Sequence, residues 1–600
     1  MTDVRRSFLA FALIAIVLVL TPRYLKWVSP VPDLPAPADT LFSAGDEPSF
    51  APAPRPFRAG EPEAVIPRRP DPLAAPRLAE QTWEIETPLY RAVISSKAGG
   101  SIATMELFGY ASGHTDGNVQ LIPQSARGLT LQLAYVNLDG DSVALNGVWE
   151  ILRAPSQSHT RLEVGDTLTM EFRHRFPSGA EVSRKLSLTG DGYTLPMEIR
   201  WQRPTLELGI NVYEIQWPIG LLPAEALLKE DEFYAKSYVY QGGELADLDA
   251  IRNGQEPRQT LKGTTNWVAM RNKYFAAALI AESRQLAEFG AFSGRAVPAT
   301  EVGRPAETAS RFSMAIGYPP NPRTNLSLYL GPLSYDLIRD LGVDLERIMN
   351  FGFALIRPVS KAILWAMVAM HEYIPNYGVI LILFAVFVRI ITNPLTRKSA
   401  LSTQKMQIIQ PQVQALQAKY KGNAQKLNKE MMALWRSEGV NPLGGCLPIL
   451  IQLPLLWAFF IVFRTTIELR GQPFIFWVTD LSVPDVVFRL PFYIPLYGDG
   501  VTILALIMGL TMFFQQKFSG AASNPQQKPM MYIMTGMFFL LFNTFPSGLN
   551  LYYAFSNFLA IIQQRNIRKS LLSGVNLAPA APAPKASAAL SAKKPRRKKR

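Results

Sequence analysis

The apolar residues of this chain are gathered into runs, and the position of those runs limits what the chain can become. A short run, Phe8 to Leu20, follows Arg5 and Arg6, and every other long run lies beyond residue 350. About 20 apolar residues cross a bilayer, so the two ends read as membrane segments and the middle as a water-exposed domain. With 48% hydrophobic residues and a mean hydropathy of +0.08, the 600-residue chain is too apolar for an ordinary soluble enzyme.

Residues 1–28 read as an uncleaved signal anchor rather than a cleaved signal peptide. No small-x-small cleavage site follows the run, which Thr21-Pro22-Arg23 ends. Residues 29–80 repeat Pro, Ala and short charged insertions (VPDLPAPADT, APAPRPFRAG), a composition that buries no core and makes a disordered tether. The formal net charge of +14 owes much to the end of the chain, KKPRRKKR. Residues 571–600 therefore read as a disordered basic tail, suited to anionic lipid or RNA phosphate and equally to holding the terminus on one side of a membrane. The sole cysteine, Cys446, cannot form an intramolecular disulfide, so cysteine usage says nothing about redox compartment.

From residue 81 to 340 the pattern changes to short alternating stretches broken by Gly, Asn and Asp: TWEIET, YRAVISS, TLTMEFRHRFPSGAEVSRKLSL, YTLPMEIRW. Period-two alternation with turn signals predicts an all-β antiparallel sandwich. No catalytic group stands out. His114, His159 and His174 lack metal-ligand spacing, and neither a Gly-x-Ser-x-Gly elbow nor a phosphate-cradling loop is present. No cofactor or metal is expected, and scaffolding or partner docking suits this domain better than a sugar-binding groove.

Residues 341–375 carry Arg357, Lys361, His371 and Pro358 among apolar and aromatic residues, which suits an amphipathic helix lying in the interface. Residues 376–570 then read as a transmembrane core. Tyr377 to about Leu395 is its first span, and Arg397-Lys398 at its end marks the cytoplasmic side, which puts the sandwich outside. Residues 397–440 are polar and basic with apolar residues at helical spacing: Met406, Ile409, Val413, Leu416 and Tyr420, then Leu427, Met431 and Leu434. This predicts a cytoplasmic helical hairpin broken at Gly422-Asn423. Further spans are expected at Leu447 to Phe463, Val501 to Phe514, Pro529 to Phe545 and Leu549 to Ile562, giving six with the anchor and leaving both termini in the cytoplasm. The last three reach only roughly 20 to 26 Å, short of a bilayer core of about 30 Å, which implies thinned lipid or a water-filled vestibule.

The stretch VILILFAVFVRIITNPLTRKS places Arg389 inside the first of these spans. An arginine at mid-helix costs about 2.5 to 3.5 kcal/mol, against a gain of about 0.3 to 0.6 kcal/mol for each Leu, Ile, Phe or Val. Arg389 therefore needs a hydrated surround. Thr392, Asn393 and Thr396 continue its face towards the Arg397 end, whereas Ile382, Ala385 and Val386 make the same face apolar in the other direction. The expected cavity is thus open inwards and sealed outwards. From residue 376 onward the acidic residues are Glu430, Glu438, Glu468, Asp480, Asp485 and Asp499, and none falls in an apolar span. The partner of Arg389 has to be water, a lipid phosphate or a carboxylate on a visiting polypeptide. Without Asp, Glu or His relays in the spans, an ion-coupled transporter is disfavoured. Gln452, Thr511, Gln515, Thr535, Tyr553, Ser556 and Asn557 are further polar residues of the spans, individually suited to helix-to-helix hydrogen bonds and together to a groove.

Four stretches, VRIITNPLTRKSALSTQKMQIIQPQVQAL, NKEMMALWRSEGVNPLGGCLPILIQLPL, TMFFQQK and FPSGLNLYYAFSNFLAIIQQ, together resemble the YidC family of membrane protein insertases in order and spacing over roughly residues 375 to 565. The sandwich looks like the periplasmic domain of Gram-negative members. The resemblance implies a five-helix insertase core beside the anchor. It implies an insertase and chaperone of the inner membrane that hydrolyses no ATP and works alone or with the Sec translocon. Its hydrophilic groove would receive nascent membrane proteins. By the same resemblance Arg389 takes the place of the groove arginine, with Thr392 and Asn393 beside it. Gln452, Pro454 and Met530 fall on spans that contact substrate, and Tyr552 and Tyr553 on the last span; Gln515, Thr535 and Ser556 join the candidate groove by their polarity alone. Ala385 departs from the polar residue expected at its position. The ribosome, through the tail and hairpin, and anionic lipids are the other implied partners. The competing reading is a membrane-tethered envelope scaffold with a ligand-binding sandwich.

Overall fold

The computed structural model describes residues 78–574, apart from 114–115, 124–127, 227, 249–257, 283–284, 299–307, 421, 440–446, 495–496 and 519–527. The expected anchor, nearly all of the tether, most of the basic tail, His114 and Cys446 lie outside the described residues. Ten α-helices are described: α1 (Leu228–Tyr234), α2 (Tyr335–Arg339), α3 (Arg357–His371), α4 (Tyr377–Ile408), α5 (Gln410–Lys419), α6 (Ala424–Ser437), α7 (Leu447–Thr465), α8 (Ile503–Phe518), α9 (Lys528–Phe542) and α10 (Ser547–Gly574). The chain divides into two compact units. One is built from Gly378–Leu453 and the described part of Pro484–Arg600, the other from the described part of Ser29–Tyr377 together with Pro454–Val483.

The second unit is the sandwich, with a five-stranded and a fourteen-stranded sheet. Alternation sets its register. Thr167–Arg175 and Glu181–Thr189 pair antiparallel around a turn in which Gly179 takes φ +87°, a conformation open to glycine. Val182, Arg184, Leu186 and Leu188 all point inward and are fully buried. Arg184 is the charged member of this row. One guanidinium nitrogen donates to the carbonyls of Ala98 (2.9 Å) and Leu131 (2.7 Å) and the group lies 5.5 Å from the Trp149 ring, so backbone dipoles and an aromatic face replace part of its water, while its other two nitrogens find no hydrogen-bond partner among the described residues. The strand Phe275–Ala281, FAAALIA, is buried on both faces between Arg258–Arg271 and Thr324–Pro332, which explains its unbroken apolar run.

A buried ionic cluster builds residues 454–483 into this unit. Glu230 on α1 accepts from the Lys273 ammonium at 2.6 Å and from Arg464, on the last turn of α7, at 2.8 Å. Nearby, Arg470 donates to Glu225 at 2.7 Å, both side chains being nearly inaccessible. Asp231 holds the chain in place by accepting from the backbone N–H groups of Ala224 and Glu225. Burial pushes the Glu230 carboxyl up, but Lys273 and Arg464 together outweigh burial and hold it below its ordinary 4.5.

Several elements differ from their expected limits. In place of one amphipathic helix over 341–375 there is a 3-10 turn at Leu345–Ile348 and then α3, which begins at Arg357 because Pro358 suits a first helical turn. Helix α3 buries Ile363, Leu364 and Met367 and leaves Trp365 72% exposed. Helix α4 does not stop near Leu395. It runs 32 residues through Pro394, bracketed by hydroxyl bonds from Thr392 to the Val388 carbonyl and from Thr396 to the Thr392 carbonyl. The break comes before Pro411, in the first turn of α5. The side chain of Asn423 caps α6, and Ile409 and Val413 pack against Met406, Met431, Leu434 and Trp435. Helix α10 continues to Gly574, into the segment expected to be tail.

Helix α8 packs on both α9 and α10, with Gly509 allowing close approach of Phe539. Among the described residues, Tyr377–Pro394 is long and apolar enough to cross a membrane alone, and Leu453–Thr465 and Ile503–Phe518 are shorter apolar segments. A two-stranded hairpin, Val486–Ile494 with Gly498–Thr502, lies between the spans expected at Leu447 to Phe463 and Val501 to Phe514 and takes in the first two residues of the second.

Replacing Glu230 with Ala strands Lys273, whose side chain is 2% exposed. Chemical unfolding at neutral pH should show a loss of roughly 3 to 5 kcal/mol, the range for breaking one side of a buried pair. Because the carboxyl is held low, its contribution is present above its ordinary value and vanishes as pH falls through the lowered one, so the gap between native and variant should close in acid.

Candidate functional site: a cationic recess between two helices

Helices α4 and α10 enclose a recess of about 540 Å³. From α4 come Val386, Arg389, Ile390, Asn393 and Arg397, steps of three or four residues that follow one helical face. From α10 come Leu559, Ile562, Gln563, Asn566 and Ile567. The polar members lie towards the Arg397 end of α4. In the other direction Leu381, Phe384 and Ala385 are buried, so the recess stops at Val386.

Arg389 is half-buried, and its Nε is shut off from solvent without a hydrogen-bond partner among the described residues. No carboxylate among the described residues pairs with it. Tyr552 lies within electrostatic reach of the guanidinium. Gln563 crosses the recess, its Nε2 donating to Asn393 Oδ1 and, at 3.0 Å, to Thr396 Oγ1. Two guanidinium groups and three amide side chains therefore face one opening, with apolar Val386, Ile390, Leu559 and Ile562 beside them. Such a lining can hold water and an anionic or amide-bearing segment. Among the described residues no three His, Cys, Asp or Glu side chains gather to hold a metal ion.

Of the residues singled out from sequence, Arg389 and Asn393 line this recess. The Thr392 hydroxyl turns back onto the Val388 carbonyl at 2.8 Å. Tyr553 is 7% exposed and meets Phe542 edge-on at 5.8 Å, while Tyr552 beside it is 2% exposed. Ser556 and Gln515 are half-buried. Thr535 on α9 donates to Gln516 on α8 at 3.0 Å, joining those two helices. The side chains of Gln452 and Met530 lie outside the described residues, and Pro454 belongs to the sandwich unit. Sequence reasoning missed Gln563, Asn566 and the lining role of Arg397. Ending the last span at Ile562 excluded Gln563 by one residue, although Gln563 and Asn566, at i and i+3, carry the same helical-face signal that revealed Asn393.

An apolar helical unit whose recess holds a guanidinium without a carboxylate partner among the described residues, in one chain with a large β domain, points to an integral membrane protein. The family described as 60Kd inner membrane protein matches residues 369–573, and the YidC periplasmic domain matches residues 82–366. A protein named membrane protein insertase YidC from Chlorobium luteolum is 35% identical over 494 residues, covering 81% of this chain and 82% of that one. Its namesake from Chlorobaculum parvum is 33% identical over 575 residues, covering 94% and 95%. A crystal structure of an active YidC insertase with its first transmembrane domain resolved aligns over 81% of this chain and 92% of its own at 17% identity, with a TM-score of 0.35. The chain belongs to the YidC family of membrane protein insertases. It is an inner-membrane protein whose β-sandwich is periplasmic.

A cation kept in a recess without a carboxylate costs stability. Arg389→Leu should therefore leave the unfolding temperature in detergent unchanged or raise it. A marked fall would mean that Arg389 holds the helices together.

Proposed function

We propose that the recess around Arg389 is the place where this insertase receives the polar end of a nascent membrane protein before releasing it into the bilayer. The half-buried guanidinium without a carboxylate among the described residues carries the reading. A cation in that position lowers the cost of bringing a carboxylate or polar backbone part-way across the membrane. Insertion makes and breaks no covalent bond, so the protein acts as a membrane chaperone and not as an enzyme. Coulomb attraction at 4 Å and intermediate dielectric is worth about 4 kcal/mol before desolvation is subtracted. Burying about 20 apolar client residues at 0.3 to 0.6 kcal/mol each returns roughly 6 to 12 kcal/mol. Charge recruits the client, and hydrophobic partitioning completes insertion.

In this reading the recess opens to the cytoplasm and both termini lie there, as Arg5-Arg6, Arg397-Lys398 and the basic residues after α10 suggest. The chain spans the membrane six times, with the N-terminal anchor beside a five-helix core of α4 and α7 to α10. The pair α5 and α6 forms a cytoplasmic hairpin, and α3 lies in the interface. The short spans α8 and α9 reduce the distance over which a client is desolvated. Gln452, Pro454 and Met530, on the spans that the family resemblance implies contact substrate, extend the client's path, and Gln515 and Thr535 add polar groups to it. The same resemblance supports action alone or beside the Sec translocon, with the ribosome and anionic lipids meeting the hairpin and basic tail.

The test is insertion of acidic-tailed and neutral-tailed clients into proteoliposomes. Arg389→Ala should reduce insertion of acidic-tailed clients several-fold, Arg389→Lys should keep most of it, and neutral-tailed clients should be affected less. Normal insertion of acidic-tailed clients by Arg389→Ala would remove the recruiting role.

A further inference from the structure

The hairpin Val486–Ile494 and Gly498–Thr502 is unusual in what it shows to its surroundings. Val487 is 48% exposed, Phe488 61%, Phe492 60% and Tyr493 73%, and these residues lie on a ribbon with no third strand among the described residues. A two-stranded ribbon with apolar side chains outward is at best marginally stable in water. This one is nevertheless held firmly at its base. Asn543, 3% exposed and directly after α9, donates to the carbonyls of Tyr497 (2.8 Å) and Gly500 (2.6 Å) and accepts from the N–H (3.2 Å) and hydroxyl (2.7 Å) of Thr502. Asp485, before the first strand, accepts from the N–H of Leu504 in the first turn of α8 at 2.9 Å. Tyr497 packs against Phe539 of α9.

This clamp fixes the depth of the ribbon. The second strand ends at Thr502 and α8 begins at Ile503, with no residue between them. Helix α8 exposes Leu506, Leu510 and Phe514 along its length, as a lipid-facing helix does. Its 16 residues cover about 24 Å, roughly 6 Å less than a bilayer core, a gap that about two strand residues at 3.3 Å each close. The ribbon base therefore falls at the edge of the hydrocarbon, and its aromatic residues fall in the layer where Tyr and Trp collect at membrane surfaces. Arg489 and Asp499, paired at 3.2 Å and both well exposed, supply the polar character that the headgroup layer accepts.

We propose that this ribbon is seated in the outer headgroup layer of the bilayer, with Phe488 and Phe492 turned into lipid, so that it sets the depth of the outer ends of α8 and α9. The proposal rests on α8 being a membrane span with its Ile503 end outward, and the test separates the two. The full-length chain, with Cys446→Ser, is reconstituted in phosphatidylethanolamine/phosphatidylglycerol nanodiscs. Single cysteines at Phe488→Cys, Phe492→Cys or Tyr493→Cys carry a spin label whose collisions with oxygen and with a water-soluble nickel complex are measured. Leu510→Cys on α8 and Val164→Cys on the sandwich, where Val164 is 73% exposed, mark lipid and water. The hairpin labels should show an oxygen-to-nickel ratio several-fold above that of Val164→Cys and below that of Leu510→Cys. Hairpin labels as wet as Val164→Cys beside a lipid-exposed Leu510→Cys overturn the seating alone. Hairpin labels shielded from both reagents put a protein over the ribbon and overturn it too. A water-exposed Leu510→Cys overturns the span and the seating together.

Discussion

An arginine without a carboxylate in an apolar helix organises the membrane half of this protein. Arg389 cannot be accommodated by dry packing, and among the described residues the chain offers it no acidic partner. What surrounds it is a compromise: Asn393, Gln563 and Asn566 supply polar lining, Tyr552 lies close by, and the recess ends where Ala385 and Leu381 are buried. The cost of holding the charge is offset by the apolar residues of its own helix and eased by the polar lining of the recess. In the proposed function, that cation is what a client's carboxylate or polar backbone meets.

The sandwich unit solves the opposite problem. There several buried charges have partners within the unit: one nitrogen of Arg184 donates to carbonyls, Glu230 meets two cations and Glu225 meets Arg470. The Glu230 cluster sets its cations against a carboxylate, whereas Arg389 has none among the described residues.

What was legible in the sequence follows from the range of the interactions. Period-two alternation across Thr167 to Thr189 marked the sandwich because strand register is local, and the 3.6 period from Arg389 to Asn393 marked the polar face for the same reason. The Glu230 cluster was invisible because Lys273 lies 43 and Arg464 lies 234 residues away in sequence. The hairpin at Val486 was hidden because its apolar residues do not alternate and Pro491 argues against a strand. Helix α4 runs past its expected end because Pro394 removes a single hydrogen bond, to the Ile390 carbonyl, and the helix continues across that gap to Ile408.

The central claim, that Arg389 takes its anion from the client, is tested most directly at the wall of the recess. A photo-crosslinking residue introduced at Asn566 should capture a stalled, ribosome-bound client carrying acidic residues in its translocated tail. Changing those residues to Asn or Gln should weaken the adduct several-fold. Equal adducts from both clients, or none from either, would contradict the account.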